Sequence, residues 1–416
     1  MSQEVLKSRQ LALNILSHVL HQKQNLDDVF DKETTALKDN REKAFIRMLV
    51  TTALRRLGQI DFILKQLLEK PLPAKANAVY DILRLAVCQI LFMQVPQHAA
   101  VSTAVDLAKT PRLSFYTKLI NGTLRNLCRN IEKFQNVSEK LNTPEWLLNS
   151  WIKAYGKTVA HKIALANLTQ PATFVSVKEN PSFWAEKLNG KVNETDSVEL
   201  PENAYIPDLD GFSDGAWWVQ DAAAAIPVLL FDNLKGKKVA DFCAAPGGKT
   251  AGLITKGAIV DAFDISEKRM KRVKENLDRL HYKANLIAQD ANKIDGKEIY
   301  DAILIDAPCS ATGTIRRHPD LYFHRTADDI KKLNQAQLKL LKTAHRLLKK
   351  KGQVVYCTCS LQKEEGESVI EQVRDLFKVC PVQNPKLKPY IQENGFIRTF
   401  PFQNKDGFFM ALLEKI

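Results

Sequence analysis

The chain has 416 residues, with 60 Lys and Arg against 47 Asp and Glu, a formal net charge of +13 and 45% hydrophobic residues. That length allows two or three domains with ample cores, and the charge favours a polyanionic partner, nucleic acid above all. There is no run of about 18 apolar residues to span a membrane and no signal-peptide pattern at the start. Seven irregularly spaced cysteines argue against a disulfide scaffold and for a reduced, cytoplasmic compartment.

From about Ser8 to Asn130 apolar residues recur at helical spacing. Leu11, Ile15, Leu16, Val19 and Leu20 form one stripe; Phe45, Leu49, Leu54 and Leu57 form another, with Arg55 and Arg56 expected outward. Tyr80 to Phe92 reads as a buried helix, followed by helices over 101–108 and 115–129. An all-helical domain of six or seven helices is expected over 1–130. Cys88 and Cys128 lie on apolar stripes and read as core. Residues 131–142 are polar and charged and read as a linker.

Thr143-Pro-Glu signals a helix start; Trp146 and Trp151 on that helix are expected to pack. A strand over 173–177, a helix over 182–188 and short strands to Pro207 make 143–220 a small α/β module. Trp217-Trp-Val-Gln-Asp221 leads into an alanine-rich helix over 222–230. A last domain is expected over 221–416; from Leu234 on its strands and helices alternate, which implies a mainly parallel, doubly wound sheet.

Within it, Val239 to Thr250 reads as strand, small-residue turn and helix start. Bare backbone amides there let a ligand come close, and the helix start favours negative charge. A P-loop is excluded because Cys243 stands where its first glycine belongs, and G-x-G-x-x-G is absent. Further strands end at Asp264, Asp290 and Asp306. Each acid can equally cap the helix that follows. Four strand-ending acids in series, Asp241 included, instead mark the crevice where such sheets bind ligands, with Asp264 placed for ribose hydroxyls.

Two cysteine motifs, Asp306-Ala-Pro-Cys-Ser-Ala-Thr-Gly313 and Tyr356-Cys-Thr-Cys-Ser360, each follow an apolar strand and should reach the same sheet edge. Cys357-Thr-Cys359 is too tight for the usual zinc spacing, and no metal site is expected. Thr314 to Asp320 follows the first motif. Arg316 and Arg317 are placed to grip phosphates, while His318 beside Pro319 reads as a turn. The basic helix over 266–280 reads as a solvated face or an RNA backbone contact. A closing hairpin is expected over 400–413.

Asp241-x-Cys-Ala-Ala-Pro-Gly-Gly-Lys-Thr, Asp306-Ala-Pro-Cys-Ser, Thr358-Cys-Ser and Asp406-Gly-Phe-Phe together resemble the RNA 5-methylcytosine methyltransferases of the Sun family. The likeness runs over nearly the whole chain. It implies a Rossmann-like methyltransferase sheet, preceded by an all-α NusB-like domain and a small α/β RNA-contacting module. It also implies S-adenosyl-L-methionine as cofactor and 16S ribosomal RNA as partner. Asn121-Gly-Thr-Leu-Arg-Asn126 matches the NusB-like part, so Arg125 is a candidate RNA contact, although a solvated helix face accounts for it equally.

Cytosine carbon 5 is a poor nucleophile until a thiolate adds at carbon 6, and that addition requires a stabilised thiolate. By the resemblance, Cys359 matches the nucleophile and Cys309 the cysteine that assists release. Asp306 matches the acid that holds cytosine nitrogen 3 protonated, and Lys249 an active-site lysine. Cys243, Ala244, Ala245, Pro246, Gly247, Gly248, Lys249, Asp264, Asp290 and Asp306 match the cofactor-binding positions. Without the family, Cys357 stays open as a nucleophile. Two other readings compete: the same chemistry on transfer RNA or another ribosomal site, and a non-catalytic RNA-binding assembly factor. Nothing demands a dimer, and a monomer is expected.

Overall fold

Apolar stripes spaced three and four residues apart force the N-terminal chain into helices that bury one face each. In the computed structural model, which describes residues 3–202 and 204–416, seven such helices run before residue 130 among the described residues. Residues 1, 2 and 203, which fall in the expected segments 1–130 and 143–220, lie outside the described ones. Ile15, Leu16, Val19, Leu49, Leu54 and Cys88 are fully buried in a common core. The chain divides into two compact units, Met1–Thr169 with Ile315–Arg325, and Gln170–Thr314 with Thr326–Ile416.

Three features of the helical unit differ from the sequence expectation. The stretch 131–142 is packed rather than free: Phe134 is buried in the helical core, and buried Asn142 bonds the Gln59 backbone N–H and side chain at 3.0 and 2.8 Å. The helix Glu145–Ala166, which buries Trp151 completely, groups with this unit and not with the strands after it. Arg55, expected outward, is buried; its guanidinium donates to the Arg316 carbonyl at 2.7 and 3.2 Å. Burial lowers its pKa to about 10.

The second unit starts with a four-stranded antiparallel sheet in the order β2-β3-β1-β4. Its strands are β1 (Phe174–Val177), β2 (Lys191–Val192), β3 (Val198–Glu199) and β4 (Trp217–Val219). Val175, Val198 and Trp217 form its core with Ala185 and Leu188 from the Pro181–Lys187 helix and the turn after it.

The main sheet holds β5 (Lys238–Phe242), β6 (Ile259–Asp264), β7 (Asn285–Ala288), β8 (Tyr300–Asp306), β9 (Leu348–Thr358), β10 (Phe377–Val379) and β12 (Phe409–Lys415), with the short β11 (Ile397–Arg398) paired on β12. The order is β10-β12-β9-β8-β5-β6-β7; the five strands from β5 to β9 are parallel, and β12 returns antiparallel against β9. This is the doubly wound, Rossmann-like sheet expected over 221–416. After β5 the chain moves outward through β6 and β7, then crosses back to place β8 on the other flank of β5. That reversal opens a crevice at the C-terminal ends of β5 and β8, where such sheets bind ligands.

Candidate active site

The crevice begins with the turn after β5. Gly247 has φ of 100°, a left-handed conformation that glycine adopts without strain, and it caps the helix Gly248–Thr255. Asp241 is wholly buried and accepts the Thr250 hydroxyl at 2.6 Å, which ties the end of β5 to that helix. Burial raises its pKa to about 7, and the nearby Asp306 and Asp264 charges add to the shift.

A cavity of about 420 Å³ opens here, lined by Cys243, Ala245, Asp264, Asp290, Asp306, Cys309 and Cys359 among others. Among the expected cofactor residues, Ala244, Pro246, Gly247, Gly248 and Lys249 do not line it; they build the turn behind it. The capping role weighed for the acids is real as well. Asp264 accepts the Ser266 N–H at 3.0 Å and Asp290 the Asn292 N–H at 2.9 Å. The lining suits a nucleoside: Asp264 and Asp290 offer carboxylates for hydroxyl and amine groups, and Phe263 and the 73% exposed Ile265 offer apolar contact.

The tips of β8 and β9 deliver the two cysteine motifs to one point, with the Cys309 and Cys359 sulfurs 3.4 Å apart. Hydrogen bonding to Cys359, with burial added, pushes the Cys309 thiol well above its ordinary value. Lys249 is buried, with Nζ 2.6 Å from Asp306 Oδ2 and 5.4 Å from the Phe408 ring centre. Burial opposes its charge, but Asp306 outweighs that and keeps the ammonium protonated above the usual range. Burial also raises the Cys357 thiol, which points at the Ile305 carbonyl and at Asp306.

The Asp406-Gly-Phe-Phe motif has a backbone explanation. Gly313 N–H donates to the Cys359 carbonyl and Gly407 N–H to the Gly313 carbonyl, both at 2.9 Å. A Cβ on Gly313 would stand 1.8 Å from the Gly407 carbonyl oxygen. The Gln220-Asp221 pair is likewise structural: Asp221 caps the helix Ala222–Leu229 and accepts the Asp406 N–H, while Gln220 bonds Ser176 and Trp218.

Not every candidate arrives here. Arg316, expected to grip phosphates, groups with the helical unit and is buried to 3% exposure. Arg317 is half-buried in the same segment, and His318 faces Asp27 at 3.3 Å. Arg125 is exposed on the helix Thr117–Arg129 and lines a separate cavity of about 510 Å³ with His98 and Lys109. Sequence reasoning missed Ile265, and Arg269, which reaches back to Asp264 and the Ala245 carbonyl. It also missed Glu365, a buried acid behind both cysteine motifs. An apolar residue right after a strand-ending acid was the available signal for Ile265; Glu365 had none beyond its nearness to Ser360.

Family models match both parts of the chain: 16S rRNA methyltransferase RsmB/F over residues 228–414, and the NusB family over 6–129. Curated relatives named ribosomal RNA small subunit methyltransferase B come from Enterobacter sp. (strain 638), 32% identical, and Proteus mirabilis (strain HI4320), 34% identical; each alignment covers 98% of both chains. The chain belongs to the ribosomal RNA small subunit methyltransferase B family. The crystal structure of PH0851 is similar in fold over the whole chain, with a TM-score of 0.77, 24% identity, and 100% of this chain and 99% of that one covered. In this family of RNA methyltransferases S-adenosylmethionine is the cofactor. No described helix is long and apolar enough to cross a membrane.

Proposed function

We propose that the protein methylates carbon 5 of one specific cytosine in 16S ribosomal RNA through a covalent adduct between Cys359 and carbon 6. The observation that carries this reading is the meeting of two sulfurs, from separate strand tips, at the wall of one cavity that Asp306 also lines, with the buried Lys249 ammonium 2.6 Å from that carboxylate.

The target base must leave its stack to reach this cavity. The addition requires the Cys359 sulfur as a thiolate; the Lys249 ammonium, fixed by Asp306, is the buried cation of the site. As the Cys359 sulfur bonds to carbon 6, the electron pair of the 5,6 double bond shifts toward carbon 5 and nitrogen 3. The proton given up by the Cys359 thiol passes through Asp306 to nitrogen 3 and is held there, which drains charge from the adduct. S-adenosylmethionine, when bound, supplies an electrophilic methyl group on a sulfonium; Cys243 and Ala245 at the β5 turn, with Asp264 and Asp290, would hold it. Loss of the carbon 5 proton to water then restores the double bond and expels the Cys359 sulfur as a thiolate, and nitrogen 3 returns its proton through Asp306 to that sulfur. Cys309, a protonated thiol 3.4 Å away, assists that release.

The test is incubation of the protein with methyl-labelled S-adenosylmethionine and unmodified 16S ribosomal RNA, with nucleoside analysis of the product. Label in 5-methylcytidine at one position is expected. Label on transfer RNA alone, or none at all, overturns the proposal.

A further inference from the structure

Behind the two cysteines lies a buried polar network that nothing in the proposed chemistry uses. Glu365 follows β9 by seven residues and is completely buried. Its carboxylate accepts the Ser310 N–H at 2.8 Å, the Ser360 hydroxyl at 2.6 Å, the Ser310 hydroxyl, and the Gln337 amide at 3.2 Å. Ser310 directly follows Cys309, and Ser360 directly follows Cys359. The two hydroxyls also stand 3.1 Å apart. Gln337, from the long helix Ala327–Leu347, extends the network to the Pro308 carbonyl at 2.9 Å. The Glu365 backbone is pinned too, because its carbonyl accepts the Tyr356 hydroxyl at 2.8 Å.

Burying a carboxylate is costly unless donors satisfy it. Here the donors come from both cysteine loops, so the carboxylate is satisfied only while the loops stay together. We propose that Glu365 is the positioning residue of the active site, a carboxylate clamp that sets the Cys309–Cys359 separation by holding the serine after each cysteine. It touches neither sulfur. It acts on the release step, in which one thiol must reach the other's adduct, and the inference rests on the roles given to the cysteines above.

The clamp is tested without relying on activity. Diamide takes two electrons and two protons from neighbouring thiols, joins their sulfurs and is itself reduced to the hydrazine. The rate of Cys309–Cys359 disulfide formation, followed by peptide mass spectrometry on the full chain, therefore reports how well the sulfurs are held. Glu365→Ala should slow it at least tenfold while S-adenosylmethionine affinity, measured by calorimetry, stays within about twofold. Glu365→Gln keeps an acceptor for the Ser310 N–H and can donate to the hydroxyls, so it should recover most of the rate. With 16S ribosomal RNA, Glu365→Ala should lower kcat tenfold or more and leave KM nearly unchanged. If Glu365→Ala fails to bind cofactor, the Ser310→Ala/Ser360→Ala pair carries the same test. An unchanged oxidation rate in the variant that still binds cofactor overturns the clamp. Wild-type protein that oxidises quickly but never methylates would instead overturn the proposed function and leave the clamp standing.

Discussion

Asp241 is the residue whose environment departs furthest from its sequence appearance. It looks like any strand-ending acid, yet it is fully buried with one oxygen bonded to Thr250 and its native pKa lies near 7, against 3.8 for the free side chain. Because the folded value is the higher one, the carboxyl contributes stability that is fully present below about pH 4 and is lost as the pH rises through about 7. The stability difference between wild type and Asp241→Asn should therefore fall between pH 4 and 7 with a slope approaching about 1.4 kcal/mol per pH unit. Denaturant titrations at several pH values read this directly, and a flat difference contradicts the assignment. Lys249→Met removes the cation that faces Asp306 and leaves that carboxylate unpaired; methyl transfer should drop by about a hundredfold or more. Activity within threefold of wild type would show that the ammonium does not serve the reaction.

At the scale of elements, the sheet was legible because each parallel strand is an apolar run stopped by an acid or a small-residue turn. The cavity could be located for the same reason: strand ends carry Asp264, Asp290 and Asp306. What local pattern could not give was depth. The Cys243–Lys249 loop supplies only Cys243 and Ala245 to the cavity wall, because the turn folds the rest behind them. The tight approach of Gly313 to Gly407 was equally invisible, since it joins loops 94 positions apart in the chain. It makes a sharp prediction. No rotamer change relieves a clash with backbone, so Gly313→Ala should cost at least about 2 kcal/mol in stability and displace the loop that carries Cys309. A thermal or denaturant midpoint equal to wild type would mean that the two loops separate freely.

For the whole molecule, composition pointed the right way, but contiguity in sequence misled. The segment 315–325 follows an active-site motif, yet its apolar and acidic residues pack with the helical unit: Asp320 accepts the Leu26 N–H, and Phe323 joins the helical core. Only long-range contacts could reveal that. The net charge of +13 carries a prediction of its own. Binding of ribosomal RNA should weaken steeply with salt, with a log–log slope of about −3 or steeper if four or more phosphates are neutralised; a slope near zero would remove phosphate contacts from the account. The most direct measurement is denaturing electrophoresis of the 47.0 kDa chain after incubation with 16S ribosomal RNA and S-adenosylmethionine. Cys309→Ala should yield a stable protein–RNA adduct, and Cys359→Ala should yield neither adduct nor 5-methylcytidine. An adduct trapped by Cys359→Ala, or full turnover without that thiol, would contradict the account.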